Sequence, residues 1–207
     1  MRHAIIRFVH DERGAAAEFA LVVPLLILFV LGTIDVGLYA WRLNQAEKAT
    51  QMGARWAVVT DPLADEIASA DYVNVNVGGT LITQGDRIPV MDFAVTCTDT
   101  ACSCAGADCG TLGTLTHNPA AYAALRDTMR RVLPAIQDSN VVVEYRGSGL
   151  GFAGDPNGPD IAPIITVRLR NMTFTPVTLV LFGASVGLPE FAYSLTSEDA
   201  DGDEAFF

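Results

Sequence analysis

Residues Phe19 to Ile34, Phe-Ala-Leu-Val-Val-Pro-Leu-Leu-Ile-Leu-Phe-Val-Leu-Gly-Thr-Ile, contain no charge, and Thr33 is their only polar side chain. Ala15 to Ala17 precede this run, and Val36 to Trp41 follow it behind Asp35. Together they make a helix long enough to cross ~30 Å of hydrocarbon at 1.5 Å per residue. Only Glu18 and Asp35 interrupt it, one near each end. A carboxylate there can reach water or a partner, which one at the bilayer centre could not do cheaply. A buried core helix is the other reading, but the rest of the chain is too small to wrap an all-round apolar helix.

The helical pattern does not stop at Trp41. Ala46, Ala49, Gly53 and Trp56 recur at three- and four-residue spacing, with Gln45, Glu47, Lys48, Gln51 and Arg55 on other faces. No breaker intervenes before Asp61-Pro62. The expectation is one helix from about Ala15 to about Val59, ~65–70 Å long, with a membrane half and an amphipathic half. Pro24 removes a backbone donor and should kink it. A cleaved secretory signal would need a small-x-small site after the run, and none stands out in Asp35 to Trp41. Arg2, Arg7 and Arg13 precede the span and place the N-terminus in the cytoplasm. From Arg42 to Phe207 there are ten basic and twenty acidic residues, so the body should lie on the other side.

The whole chain has 207 residues, room for one domain and an anchor. Half of it is apolar, its mean hydropathy is +0.31 and its net charge is −11. That composition excludes a disordered chain. The charge has the wrong sign for a nucleic-acid binder.

Beyond the long helix the pattern is α+β. Tyr72 to Val77 alternates strictly and reads as a strand ended by Gly78-Gly79. Ile88 to Thr98 reads as another, with Phe93, Val95 and Cys97 on one face. Asn118-Pro119 is a helix start that runs to about Ile136, with a stripe of Tyr122, Leu125, Met129, Val132 and Leu133. Val141 to Tyr145 and Ile164 to Leu169 pair as antiparallel strands across the Gly/Pro-rich loop 147–163, and Phe191 to Thr196 is a last strand. Thr175 to Leu188 is apolar but too short and too interrupted by Pro176, Gly183 and Gly187 for a second span. It reads as a buried or partner-facing segment, and, if exposed, as a subunit contact.

Cys97, Cys102, Cys104 and Cys109 form a C-x4-C-x-C-x4-C run without a C-x-x-C pair. In an oxidising compartment two disulfides outweigh a metal site. The pairings 97–102 with 104–109 and 97–104 with 102–109 both remain open. Among catalytic patterns, H-E-x-x-H and a P-loop are missing, and His117 is the only His after the membrane run. Gly147-x-Gly149-x-Gly151 reads as a flexible loop. Asp155 to Asp160 reads as a turn, and Glu198 to Asp203 as a solvated acidic tail rather than a calcium loop. No catalytic residue, cofactor, metal or small-molecule substrate is expected.

The leader Asp11-Glu12-Arg13-Gly14, then Ala15-Ala-Ala-Glu18-Phe19-Ala-Leu, then the apolar run with Pro24, resembles the N-terminus of TadE-like proteins. These are minor pseudopilins of the tight-adherence (Flp, type IVb) pilus system. Gly53-Ala54-Arg55-Trp56-Ala57-Val58 is similar to the family's Gly-Ala-Arg-aromatic-Ala pattern. The resemblance covers residues 11–59. It implies a leader, residues 1–14, cut between Gly14 and Ala15 by a prepilin peptidase. It further implies a membrane half over 15–41, a periplasmic helical half over 42–60, and a periplasmic pilin-like domain over 61–207. In that scheme Glu18 pairs with a neighbouring subunit's free amine inside the membrane, where either charge alone would be expensive. Glu18 is the fourth residue after Gly14, where the family usually has its Glu fifth. That shift turns the side chain by ~100° and moves it by 1.5 Å. The implied protein is a non-enzymatic subunit of the bacterial inner membrane, single-pass, with other pilus subunits as partners, and it could enter an extracellular pilus. An unprocessed single-pass adhesin or binding module is the alternative, and a secreted enzyme cut after residue 34 is a third class.

Overall fold

The computed structural model describes residues 12–156 and 158–197, so the first eleven residues of the leader and the acidic stretch Glu198 to Asp203 lie outside it. The chain divides into two compact units, residues 1–42 with 173–186, and residues 43–172 with 187–207. The fold is α+β.

Helix α1 (Glu12–Ala57) includes Pro24 and continues past it. Its residues from 43 onward belong to the second unit and bury Ala46, Ala49, Ala54 and Ala57. Small side chains on that face let the helix backbone approach its neighbours. Gly53 shows how closely: a Cβ there would stand 2.8 Å from Met129 Sδ and 3.3 Å from a Val167 methyl.

The second unit contains a short helix α2 (Asp65–Ala68), the hairpin strands β1 (Asn76–Val77) and β2 (Thr80–Leu81), and strands β3 (Ala94–Cys97) and β4 (Cys102–Ala105). Helix α3 (Pro119–Arg130) and strands β5 (Val141–Arg146) and β6 (Ile164–Leu169) follow. Strands β7 (Thr173–Phe174) and β8 (Val186–Gly187) form a small ladder, and β9 (Phe191–Thr196) comes last. The main sheet is antiparallel throughout, in the order β4-β3-β5-β6-β9.

Its register explains its two faces. Cys104, Val95, Tyr145, Ile165 and Leu195 stand side by side across the five strands, as do Cys102, Cys97, Val143, Val167 and Tyr193. These rows join the core with α1 and with Leu125, Met129 and Leu133. Between them, on the opposite face, runs a polar row of Ser103, Thr96, Glu144, Thr166 and Ser194. There Thr166 and Ser194 share a hydrogen bond of 2.8 Å, and Arg146 and Arg168 both pair with Glu144.

Three expected elements are shorter than the sequence suggests. In Tyr72 to Val77 only Asn76–Val77 is strand. The buried Asp160 carboxylate takes the Tyr72 N–H at 2.6 Å, and Asn74 adopts a left-handed φ of 65°, so the run bends; Asn74 and Val75 still bond to Ile82, but only the last two residues form regular ladder. Gly78 and Gly79, both at positive φ, then supply the two-residue hairpin turn. In Ile88 to Thr98 the ladder covers Ala94–Cys97. Phe93, Val95 and Cys97 are all buried, as their alternation implied. Helix α3 is capped by the Asn118 side chain, which accepts from the Ala120 and Ala121 N–H groups, with Pro119 at the first position. It ends at Arg130 rather than near Ile136, because Pro134 cannot donate and disfavours helical backbone before it.

Candidate functional site

From Ala16 onward α1 is long and apolar enough to cross a membrane, with a mean hydropathy of 2.6 over its most apolar window, and only 6% of that window is buried. Phe19, Leu21, Leu25, Leu28 and Phe29 are all more than half exposed. A core helix of a soluble protein would be covered, so the exposure favours a lipid or protein partner for this face. Leu28, Phe29, Gly32, Thr33 and Val36 outline a shallow apolar depression on it. Thr33 turns its hydroxyl back to the Val30 carbonyl at 2.7 Å, which removes its polarity from the surface.

Two carboxylates bracket this surface and differ in their surroundings. Glu18 is exposed. Asp35 is 7% exposed. Its Oδ1 accepts the Val177 N–H at 2.6 Å, and its Oδ2 accepts the Thr178 N–H at 2.9 Å and the Thr178 hydroxyl at 2.6 Å. Those donors begin a 3-10 helix, Val177–Phe182, whose own N-cap, Pro176, offers no side-chain acceptor. Asp35 therefore caps an element remote in sequence but in the same compact unit. In sequence Asp35 only borders the apolar run, and nothing there points to this bond. A carboxylate closing an apolar run marks the position without naming its donor.

Of the expected cleavage pair, Gly14 lies within the described part of α1, and a Cβ on it would meet no atom within 4 Å. Packing within the chain does not demand glycine there. The helical positions of Gly32 and Gly37 are equally open.

The cysteines pair as Cys97–Cys102 and Cys104–Cys109, one of the two patterns left open. The first bridge spans the two strands of the β3–β4 hairpin, where the two cysteines are register partners. The second ties β4 to the short turn Cys109–Thr111. The loop is fastened further by reciprocal bonds between Asp92 and Asp108: the Asp108 carboxylate accepts the Asp92 N–H at 2.8 Å, and the Asp92 carbonyl accepts the Asp108 N–H at 3.0 Å, while the Asp92 carboxylate takes the Ala107 N–H at 3.2 Å.

Other chemistry-bearing residues serve the architecture. Asp160 is 3% exposed and takes the N–H groups of Tyr72, Gly154 and Asp155, so its oxygens are engaged in closing the Asp155 to Asp160 turn. Gly151, at φ 119°, passes so near the Asp160 carbonyl that a Cβ would overlap it. The Gly147 to Gly151 cluster is thus a close-packed loop crossing rather than a free one. Tyr145 accepts the Leu63 N–H at 2.9 Å, and complete burial raises its phenol well above the usual range. His117 packs against Tyr122, and its buried Nε2 has no hydrogen-bond partner. No group of three His, Cys, Asp or Glu side chains suited to a metal ion occurs among the described residues.

A family model described as TadE-like protein matches residues 14–55, the apolar helix and the start of its packed continuation. Neither a curated protein nor a solved structure matches the chain.

Proposed function

We propose that this chain, carrying its TadE-like segment over residues 14–55, is a pseudopilin-like subunit for assembly of a tight-adherence pilus. It inserts by one helix, with its N-terminus in the cytoplasm and residues 61–207 in the periplasm, and acts by contact rather than by catalysis. The observation that carries this reading is the match of that segment to an apolar helix whose surface the chain itself leaves uncovered. A prepilin peptidase removes the leader after Gly14, and Ala15 becomes the new terminus. Glu18 pairs within the membrane with a neighbouring subunit. Its exposure leaves it accessible to such a partner, and the open positions at Gly32 and Gly37 allow close helix approach. The disulfide loop 97–109 provides a rigid contact outside the membrane.

The test is the intact mass and N-terminal sequence of the membrane-extracted protein, made with and without the prepilin peptidase. A peptidase-dependent start at Ala15 supports the pseudopilin reading. An uncut chain favours the unprocessed adhesin or binding module, and a start beyond residue 34 overturns the shared helix.

A further inference from the structure

The stretch 173–187 carries no charge, and the 3-10 helix within it exposes Val177, Val180 and Phe182, the last at 79%. An apolar element in water would usually hide such side chains, and this one turns them outward. Its backbone, however, is closed at both ends. Asp35 takes the first two N–H groups. At the other end Gly183, in the left-handed conformation, donates to the Val180 carbonyl, and the Ala184 N–H reaches the Leu179 carbonyl. Apolar side chains outside and satisfied backbone inside are what contact with hydrocarbon requires.

Its level follows from α1. Asp35 lies ~28 Å along the helix from Ala16, close to the ~30 Å thickness of a hydrocarbon core. The capped 3-10 helix therefore sits where the apolar run leaves the membrane. Aromatic residues gather within two turns beyond it, ~6–9 Å further along the helix: Tyr39 meets Phe174 edge-on at 5.7 Å, and Trp41 is exposed. Aromatic side chains prefer that border.

We infer that Val177–Phe182 is an interfacial anchor that lays Val177, Val180 and Phe182 into the lipid leaflet at the C-terminal end of the apolar run, held there by Asp35. The occupant is lipid because this surface belongs to the same unit as the exposed apolar helix and continues its chemistry at the membrane border. The inference rests on α1 crossing a membrane and is independent of cleavage at Gly14. It replaces the subunit contact expected for Thr175 to Leu188, and it explains why Asp35 is tolerated where the apolar run ends.

The experiment uses the full chain in phosphatidylethanolamine–phosphatidylglycerol vesicles. These contain phospholipids with a photoactivatable diazirine either near the glycerol or at the chain end, and adducts are mapped by mass spectrometry. The shallow probe is expected to label both α1 and the peptide 173–187, and the deep probe α1 alone. The paired change Val180→Asp with Phe182→Asp should abolish labelling of the peptide while α1 remains labelled. Both side chains are exposed, so unchanged thermal unfolding verifies the fold of that variant. Asp35→Asn should weaken the same labelling by loosening the segment. Labelled α1 with an unlabelled peptide overturns the anchor and spares the membrane reading. Copy-to-copy crosslinks at Phe182 that vanish on dilution in lipid overturn it in favour of a second subunit. An unlabelled α1 overturns both.

Discussion

At the scale of single residues, buried carboxylates and hydroxyls hold this chain where apolar packing cannot. Asp160 receives three backbone N–H groups from two separate stretches of chain. Asp160→Asn turns one acceptor oxygen into a donor facing other donors. It should cost about 1–3 kcal/mol, measured by chemical denaturation in detergent. Tyr145→Phe leaves the Leu63 N–H buried without its acceptor and should cost a similar about 1–3 kcal/mol. Glu66 is governed first by burial, which raises its pKa, but the Thr116 N–H bonds to both its oxygens outweigh that and hold it below its usual 4.5. Its stabilising contribution is therefore complete above about pH 4.5 and fades as pH falls through the lower folded value. Thermal unfolding across pH 3–6 should be less acid-sensitive in Glu66→Gln than in the parent. The Gly154 and Asp155 bonds close a turn already legible in the sequence, but the others join residues far apart in the chain and were not legible beforehand. The Tyr72 to Val77 run shows the cost: its alternation is real, but a distant carboxylate overrides it.

At the scale of elements, periodicity was a better guide. The long helix, α3, the β5–β6 pair and β9 were all readable, because each carries its burial pattern in its own sequence. Their ends depend on local chemistry, and Pro134 was a visible stop signal that the stripe through Leu133 obscured. Gly53 was readable as part of the buried stripe. Its reason was not, since Met129 and Val167 arrive from elsewhere. Gly53→Val should cost about 1–3 kcal/mol by overpacking, read as a lower unfolding midpoint. Replacing Cys104 and Cys109 by Ser removes a short closed loop and should cost about 2 kcal/mol. The same replacement at Cys97 and Cys102 should cost more, because Cys97 is fully buried in the core.

At the scale of the whole molecule, the long apolar helix was legible from hydropathy alone, because no packed core is needed to define it. The role of Asp35 was not, since its partner enters from the far end of the chain. If Glu18 pairs between subunits, Glu18→Gln should leave the extracted monomer's thermal unfolding unchanged, as an exposed position implies, while reducing the piliated fraction of cells counted by electron microscopy.

The excursion between β6 and β9 has a base of its own. Leu169 and Phe191 are register partners, and the Leu188 N–H reaches the Met172 carbonyl at 2.8 Å, so the chain leaves and returns at nearly one point. Topologically it is a detachable cassette spliced into a plain hairpin. A turn of a few residues could bridge the same gap, and shortening a loop changes closure entropy only slowly. The β6–β9 ladder can thus keep its pairing while this insert is exchanged or shortened, at the cost of the backbone donors that Asp35 holds.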